Sequence, residues 1–153
     1  MAATTMPLTN LLQKLKLDFP HLTFEEGADF LWSPEKSTVT YKKEGDPALL
    51  LHEIGHAQLQ HSEYTRDVEL ISMERSAWEK AKELGAVYRI VISDDTVEDH
   101  LDTYRDWLHA RSTCPSCTAV GYQTGQFTYA CPACSQEWRV NEARVCGLRR
   151  TKL

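Results

Sequence analysis

Two histidines four residues apart inside a leucine-rich stretch constrain this chain more than any other feature: Leu49-Leu50-Leu51-His52-Glu53-Ile54-Gly55-His56-Ala57. Four residues is close to one helical turn, so on a helix both imidazoles project from one face at metal-binding reach. Neutral imidazole suits Zn²⁺, and the glutamate between the two is placed to take a proton from water beside such a metal. Three leucines lead into His52, so this helix is expected to be buried. That argues against the plainer reading of two surface histidines on an amphipathic face. The stretch demands a packed helix that turns polar groups inwards, and the rest of the chain must supply walls and a further ligand.

The flanking sequence suits that demand. Leu8, Leu11, Leu12 and Leu15 recur with helical period over residues 8–17, and Asp18 to His21, with Pro20, ends that helix. Residues 22–24, 28–32 and 37–42 are expected to be extended, with a turn at Ser33-Pro34-Glu35-Lys36 and a β-branched, aromatic run from Thr38 to Tyr41. Gly45-Asp46-Pro47 then starts the motif helix, roughly 47–61, with Asp46 as its cap. A second helix is predicted from Asp67 to Leu84, stopped by Gly85, with Leu70, Ile71, Ala77, Trp78 and Ala81 on its apolar face. Tyr88 to Ile92 reads as a short strand or an extended connection. Ser93-Asp94-Asp95 caps a third helix through about Ala110.

A catalytic two-histidine site needs a third protein ligand, with the fourth position left for water or substrate. The metzincin pattern would place a glycine and a histidine where this chain has Leu59 and Ser62, so it fails. His61 is near in sequence, but on a continuing helix it points about 140° away from His56. Solvent, or a contact at the helix end, is its expected place. Glu74 is the better candidate. At 100° per residue the five apolar residues of its helix all lie within about 60° of it. A carboxylate centred on an apolar stripe needs a cation or strong donors, because burying it unpaired is costly. A buried Glu74 paired with an arginine or tyrosine is the alternative. Glu69 and Glu83 sit on the opposite, solvated face.

Leu-Leu-His-Glu-Ile-Gly-His-Ala-x-x-x-His after a hairpin, then Glu74-Arg75-Ser76-Ala77-Trp78 on the next helix, resembles small gluzincin-type metallopeptidases. The ImmA/IrrE-type peptidases and the minigluzincins are the nearest in kind, and the likeness covers roughly residues 24–84. What the resemblance implies is a compact α+β domain with a zinc cleft between the two helices and the hairpin as a substrate-binding edge. SprT-like proteases join the same motif to a C-terminal zinc ribbon, but they use a third histidine. Here only His61, too close, or His100, distant and on its own helix's apolar face, could serve.

The end of the chain follows a different grammar. Cys114-Pro-Ser-Cys117, thirteen residues and Cys131-Pro-Ala-Cys134 form a Cys₄ zinc pattern, each pair suited to a tight knuckle on one tetrahedral ion. Tyr122, Phe127, Tyr129, Trp138 and Val140 suit a small three-stranded ribbon whose folding energy comes from the metal. Cys146 is left over as a free thiol. Residues 1–110 hold 11 Lys and Arg against 20 Asp and Glu, whereas residues 111–153 hold 6 against 2, so an acidic body carries a mildly basic tail. Arg139, Arg144, Arg149, Arg150 and Lys152 could meet phosphates, and exposed aromatics could stack bases, although those aromatics also suit the ribbon's own core. No secretion signal and no run of transmembrane length is present, so a cytoplasmic protein without membrane contact is expected.

The sequence thus predicts an α+β chain: a small zincin-like domain over residues 1–111 and a β zinc ribbon over 112–153. Two Zn²⁺ are expected. His52, His56 and Glu74 would hold a catalytic ion, with Glu53 as general base, and Cys114, Cys117, Cys131 and Cys134 a structural one. The expected activity is hydrolysis of a protein or peptide substrate, whose backbone would pair with a hairpin strand near 37–42. Tyr64, Tyr88, His61 and His100 stay open as stabilisers of the oxyanion. A non-catalytic, zinc-stabilised adaptor for protein or nucleic acid and a SprT-like, DNA-associated protease are the competing readings.

Overall fold

The computed structural model describes residues 7–144 and 147–153, so Cys146 lies outside the described residues. It is an α+β structure with four helices and two small sheets. The chain forms two compact units: residues up to Ser62 with Met73–Val97, and Glu63–Ser72 with the described residues from Glu98 on.

In the first unit, α1 (Leu8–Asp18) buries Leu8, Leu11, Leu12 and Leu15, the stripe expected from its period. The hairpin forms as β2 (Leu31–Ser33) against β3 (Thr38–Tyr41), pairing Leu31 with Thr40 and Ser33 with Thr38. A further strand, β1 (Thr23–Glu26), runs parallel to β3 on its other side, so the sheet order is β1-β3-β2. This corrects one expectation. β3 has neighbours on both sides and offers no edge to a substrate backbone.

The motif helix, α2 (Pro47–Gln58), starts as its sequence dictates. Asp46 accepts a hydrogen bond from the Ala48 N–H at 2.9 Å, and Pro47 occupies the first turn, where its missing N–H costs nothing. It ends earlier than expected. Gln60 takes a left-handed conformation (φ 54°), and the Gln60 and His61 N–H groups turn back to the Ala57 and His56 carbonyls. Those two bonds are a Schellman motif built without glycine. The next helix, α3 (Asp67–Tyr88), runs through Gly85 instead of stopping there. A Cβ at Gly85 would sit 2.4 Å from the Ile90 carbonyl oxygen, so this glycine admits the returning chain. The stop is Arg89 (φ 60°), after which the Ile90 N–H bonds back to the Gly85 carbonyl at 2.8 Å. Residues 90–93 are a connection, not a strand.

In the second unit, the part of α4 (Asp94–Ser112) from Glu98 on delivers its last turn to a four-stranded antiparallel sheet ordered β4-β5-β6-β7: Tyr122–Gly125, Thr128–Ala130, Glu137–Val140 and Arg150–Lys152. Ser93, just ahead of α4, caps it through its hydroxyl at 3.1 Å from the Thr96 N–H. The ribbon has one strand more than expected, because β7 adds to the edge of β6. Cys114, Tyr129, Cys131, Trp138 and Val140 form the core, with Tyr129 and Trp138 stacked at 5.7 Å; Tyr122 is exposed.

Buried among these strands is a polar cluster. Arg111 donates to Asp67 at 2.7 and 3.3 Å and to the Asn141 carbonyl at 2.6 Å, and the Tyr129 hydroxyl donates to Asp67 at 2.6 Å. The Trp138 indole donates to the Arg111 carbonyl at 2.9 Å. The division expected at residues 111 and 112 falls inside this unit, and this cluster is the physical reason: the end of α4 is bonded into the ribbon.

Candidate metal centres

Among the described residues, two groups of side chains bring metal-ligating atoms together, each with all its donor atoms within 4.8 Å of one another. The first consists of His52, His56 and Glu74, all buried. The facing atoms are the two Nε2 atoms, 3.1 Å apart, with Glu74 Oε2 at 2.8 Å from His52 and Oε1 at 3.2 Å from His56. Three donors at about 2.0–2.1 Å from a tetrahedral ion would be about 3.3 Å apart, close to this triangle. Two imidazoles and a carboxylate also match the chemistry of zinc.

Three packing features hold the triangle. Gly55 lets α2 approach α3, since a Cβ there would lie 2.4 Å from the Ala77 carbonyl oxygen. Trp78, one turn beyond Glu74, stacks on His52 with ring centroids 4.2 Å apart. His61, returned by the Schellman turn, places its Nδ1 2.9 Å from Nδ1 of His56. Extrapolating α2 in phase sends His61 away from the site; the actual helix end brings it to the outer side of His56, outside the donor triangle. Its place is the contact at the helix end. Burial holds the His61 imidazole below its ordinary pKa, with His56 adding to the effect.

The charges respond to one another. Burial pushes the Glu74 carboxyl up, but hydrogen bonds to His52 and His56 outweigh it and hold the group well below the usual carboxylate range. Glu53, half-buried on α2, goes the other way. Burial raises its carboxyl to about 7; His56 opposes this, Glu74 supports it and the Trp32 backbone N–H opposes it.

The second group is Cys114, Cys117, Cys131 and Cys134. Sγ of Cys114 lies 3.6 Å from that of Cys134, and Sγ of Cys117 lies 3.5 Å from that of Cys131. Sulfurs about 2.3 Å from a tetrahedral zinc would be about 3.8 Å apart. The two knuckles repeat each other in detail. Ser116 N–H and Ala133 N–H each point at the first sulfur of their pair at 3.4 Å. Thr118 and Ser135 each take a left-handed φ and bond back to the first cysteine's carbonyl at 3.0 Å. Such N–H groups stabilise a thiolate, the form a metal needs.

Other candidate residues are placed elsewhere. The Tyr88 hydroxyl donates to Asp18, and Tyr64 and His100 belong to the second unit. Arg139, Arg144, Arg149, Arg150 and Lys152 are all exposed; of these, Arg150 donates to the Thr113 carbonyl and the Arg144 guanidinium lies 5.5 Å above the Tyr104 ring. Tyr129 and Trp138 are buried, which removes them as platforms for base stacking. Among the described residues no helix is long and apolar enough to cross a membrane. Comparison with known proteins brings no match: no protein-family model, no curated protein and no solved structure is similar to the chain.

Proposed function

We propose that the chain is a zinc-dependent peptidase of the gluzincin type, with a second, structural zinc in the C-terminal ribbon. The observation that carries this reading is the convergence of His52, His56 and Glu74 on one point, with Glu53 next to His52 on the same helix. A zinc ion at that point supplies Lewis-acid polarisation of a carbonyl oxygen and makes water acidic enough to lose a proton near pH 7. The protein's part follows from its own groups. His52 and His56 present Nε2, Glu74 adds the negative charge that favours a cation, and Glu53 accepts the proton of the attacking water and can return it to the leaving amine.

The third donor within reach is a carboxylate and not a histidine, which favours the gluzincin reading over the SprT-like one. A substrate strand would add along an outer strand of the sheet, and β2 is suited, because it packs against α2 and its Trp32 indole bonds to the His61 carbonyl beside the site. Nucleic acid, if bound, would meet the exposed Arg139 and Lys152 of the ribbon. The adaptor reading needs no general base, so Glu53→Gln separates the two. That variant should keep its fold and both metals and lose peptide hydrolysis, measured on a peptide library and by comparing cleaved proteins in cells carrying each form. Undiminished cleavage by Glu53→Gln would refute this mechanism.

A further inference from the structure

A histidine that binds a metal through Nε2 carries its proton on Nδ1, and the partner of that proton fixes which tautomer is present and how the ring is turned. His56 faces the donor triangle with Nε2, and its Nδ1 faces Nδ1 of His61 at 2.9 Å. We propose that His61 is a positioning residue for the metal site: its bare Nδ1 accepts the His56 Nδ1–H and locks His56 in the ligating tautomer. This rests on the reading of His52, His56 and Glu74 as a metal site. It gives a role to a histidine that lies outside the donor triangle.

The fold around His61 is built to hold that atom in place. In a Schellman motif the second residue beyond the helix cap folds back over the last turn. Here that residue is His61 and the one it covers is His56, joined by the His61 N–H to His56 carbonyl bond at 3.0 Å. Gln60 takes the left-handed position that glycine usually fills, which a side chain adopts only against a steric cost. Trp32 on β2 secures the turn from the other side, its indole N–H donating to the His61 carbonyl at 3.0 Å. The strand thus braces the turn behind His56 from the side opposite the helix.

The roles of the two ring nitrogens can be read directly. In the full chain loaded with Zn²⁺, nitrogen-15 NMR should find the proton of His56 on Nδ1, slow to exchange, and the proton of His61 on Nε2. A protonated Nδ1 on His61 would overturn the proposal. Substitution adds a second reading, because asparagine can place an oxygen where the His61 Nδ1 stands and leucine cannot. With zinc kept in the ribbon, Co²⁺ titration followed by its visible absorption should show His61→Leu binding about 10–100-fold more weakly than the native chain. His61→Asn should stay near the native affinity and spectrum. Equal affinity for His61→Leu and the native chain, or equal loss in both variants, would contradict an acceptor role. If the native chain itself takes up no Co²⁺ outside the ribbon, the metal-site reading fails instead, a result separable from the others.

Discussion

The four sulfurs of the ribbon come from two turns that repeat each other bond for bond, whereas the histidines of the other centre meet a carboxylate 22 residues further on, carried by a second helix. The ribbon sulfurs form a complete tetrahedral set, two of them buried and two exposed. The His–His–Glu group is buried, has three donors and has the Glu53 carboxyl next to His52 on the same helix. A closed set made from local turns can fold with its ion and hold a small module together. An incomplete set made from packed helices exists because the helices pack, and on the proposed reading it leaves a coordination position to chemistry. The first kind of centre makes its fold; the second is made by it.

That contrast sets the largest expected effect. Cys131→Ser should remove the ribbon's ion, worth on the order of 10 kcal/mol to such a module, and collapse amide protection across residues 113–140 in hydrogen exchange. Loss spread evenly along the chain would show that the ribbon does not depend on its own metal. Asp67→Ala comes next, since it strands a buried Arg111 and takes the acceptor from Tyr129. Urea unfolding should show a loss of about 3–5 kcal/mol, and a loss under about 1 kcal/mol would mean the cluster is not holding α4 to the ribbon. Gly55→Ala forces a methyl against the Ala77 carbonyl and should cost about 1–3 kcal/mol. It should also empty the His–His–Glu centre while the cysteines keep their ion. Full metal content in that variant would show that close approach of α2 and α3 is not what assembles the site.

The two centres were also unequally legible. Both knuckles could be read directly, because spacing within a few residues determines them. So could the start of α2, where Asp46 and Pro47 act through their own backbone and side chain. Glu74 could be placed near the histidines by phase, since a carboxylate amid Leu70, Ala77, Trp78 and Ala81 has to face inwards. What escaped depends on partners distant in sequence or on conformations without a compositional signal. β1 pairs in parallel with β3 across the hairpin, β7 is three charged or polar residues recruited to an edge, and Gln60 ends α2 left-handed with no glycine to announce it. For that last reason phase alone left His61 open between solvent and the contact at the helix end that it makes: helical phase stops predicting direction where the helix stops.

The smallest effect concerns that same turn. Gln60→Gly should stabilise the chain by up to about 1 kcal/mol in thermal unfolding, because glycine meets no penalty at a left-handed cap. Destabilisation instead would mean that the Gln60 side chain contributes more than its backbone strain costs.

Metal content tests the central claim most directly. The purified native chain should carry about two zinc ions, and Glu74→Ala should carry nearer one, because two histidines alone hold zinc far more weakly than a three-ligand site. Glu69→Ala, on an exposed position of the same helix, should keep both. A Glu74→Ala protein that retains two ions, or a native chain that never holds more than one, would contradict the assignment of His52, His56 and Glu74 as a metal centre.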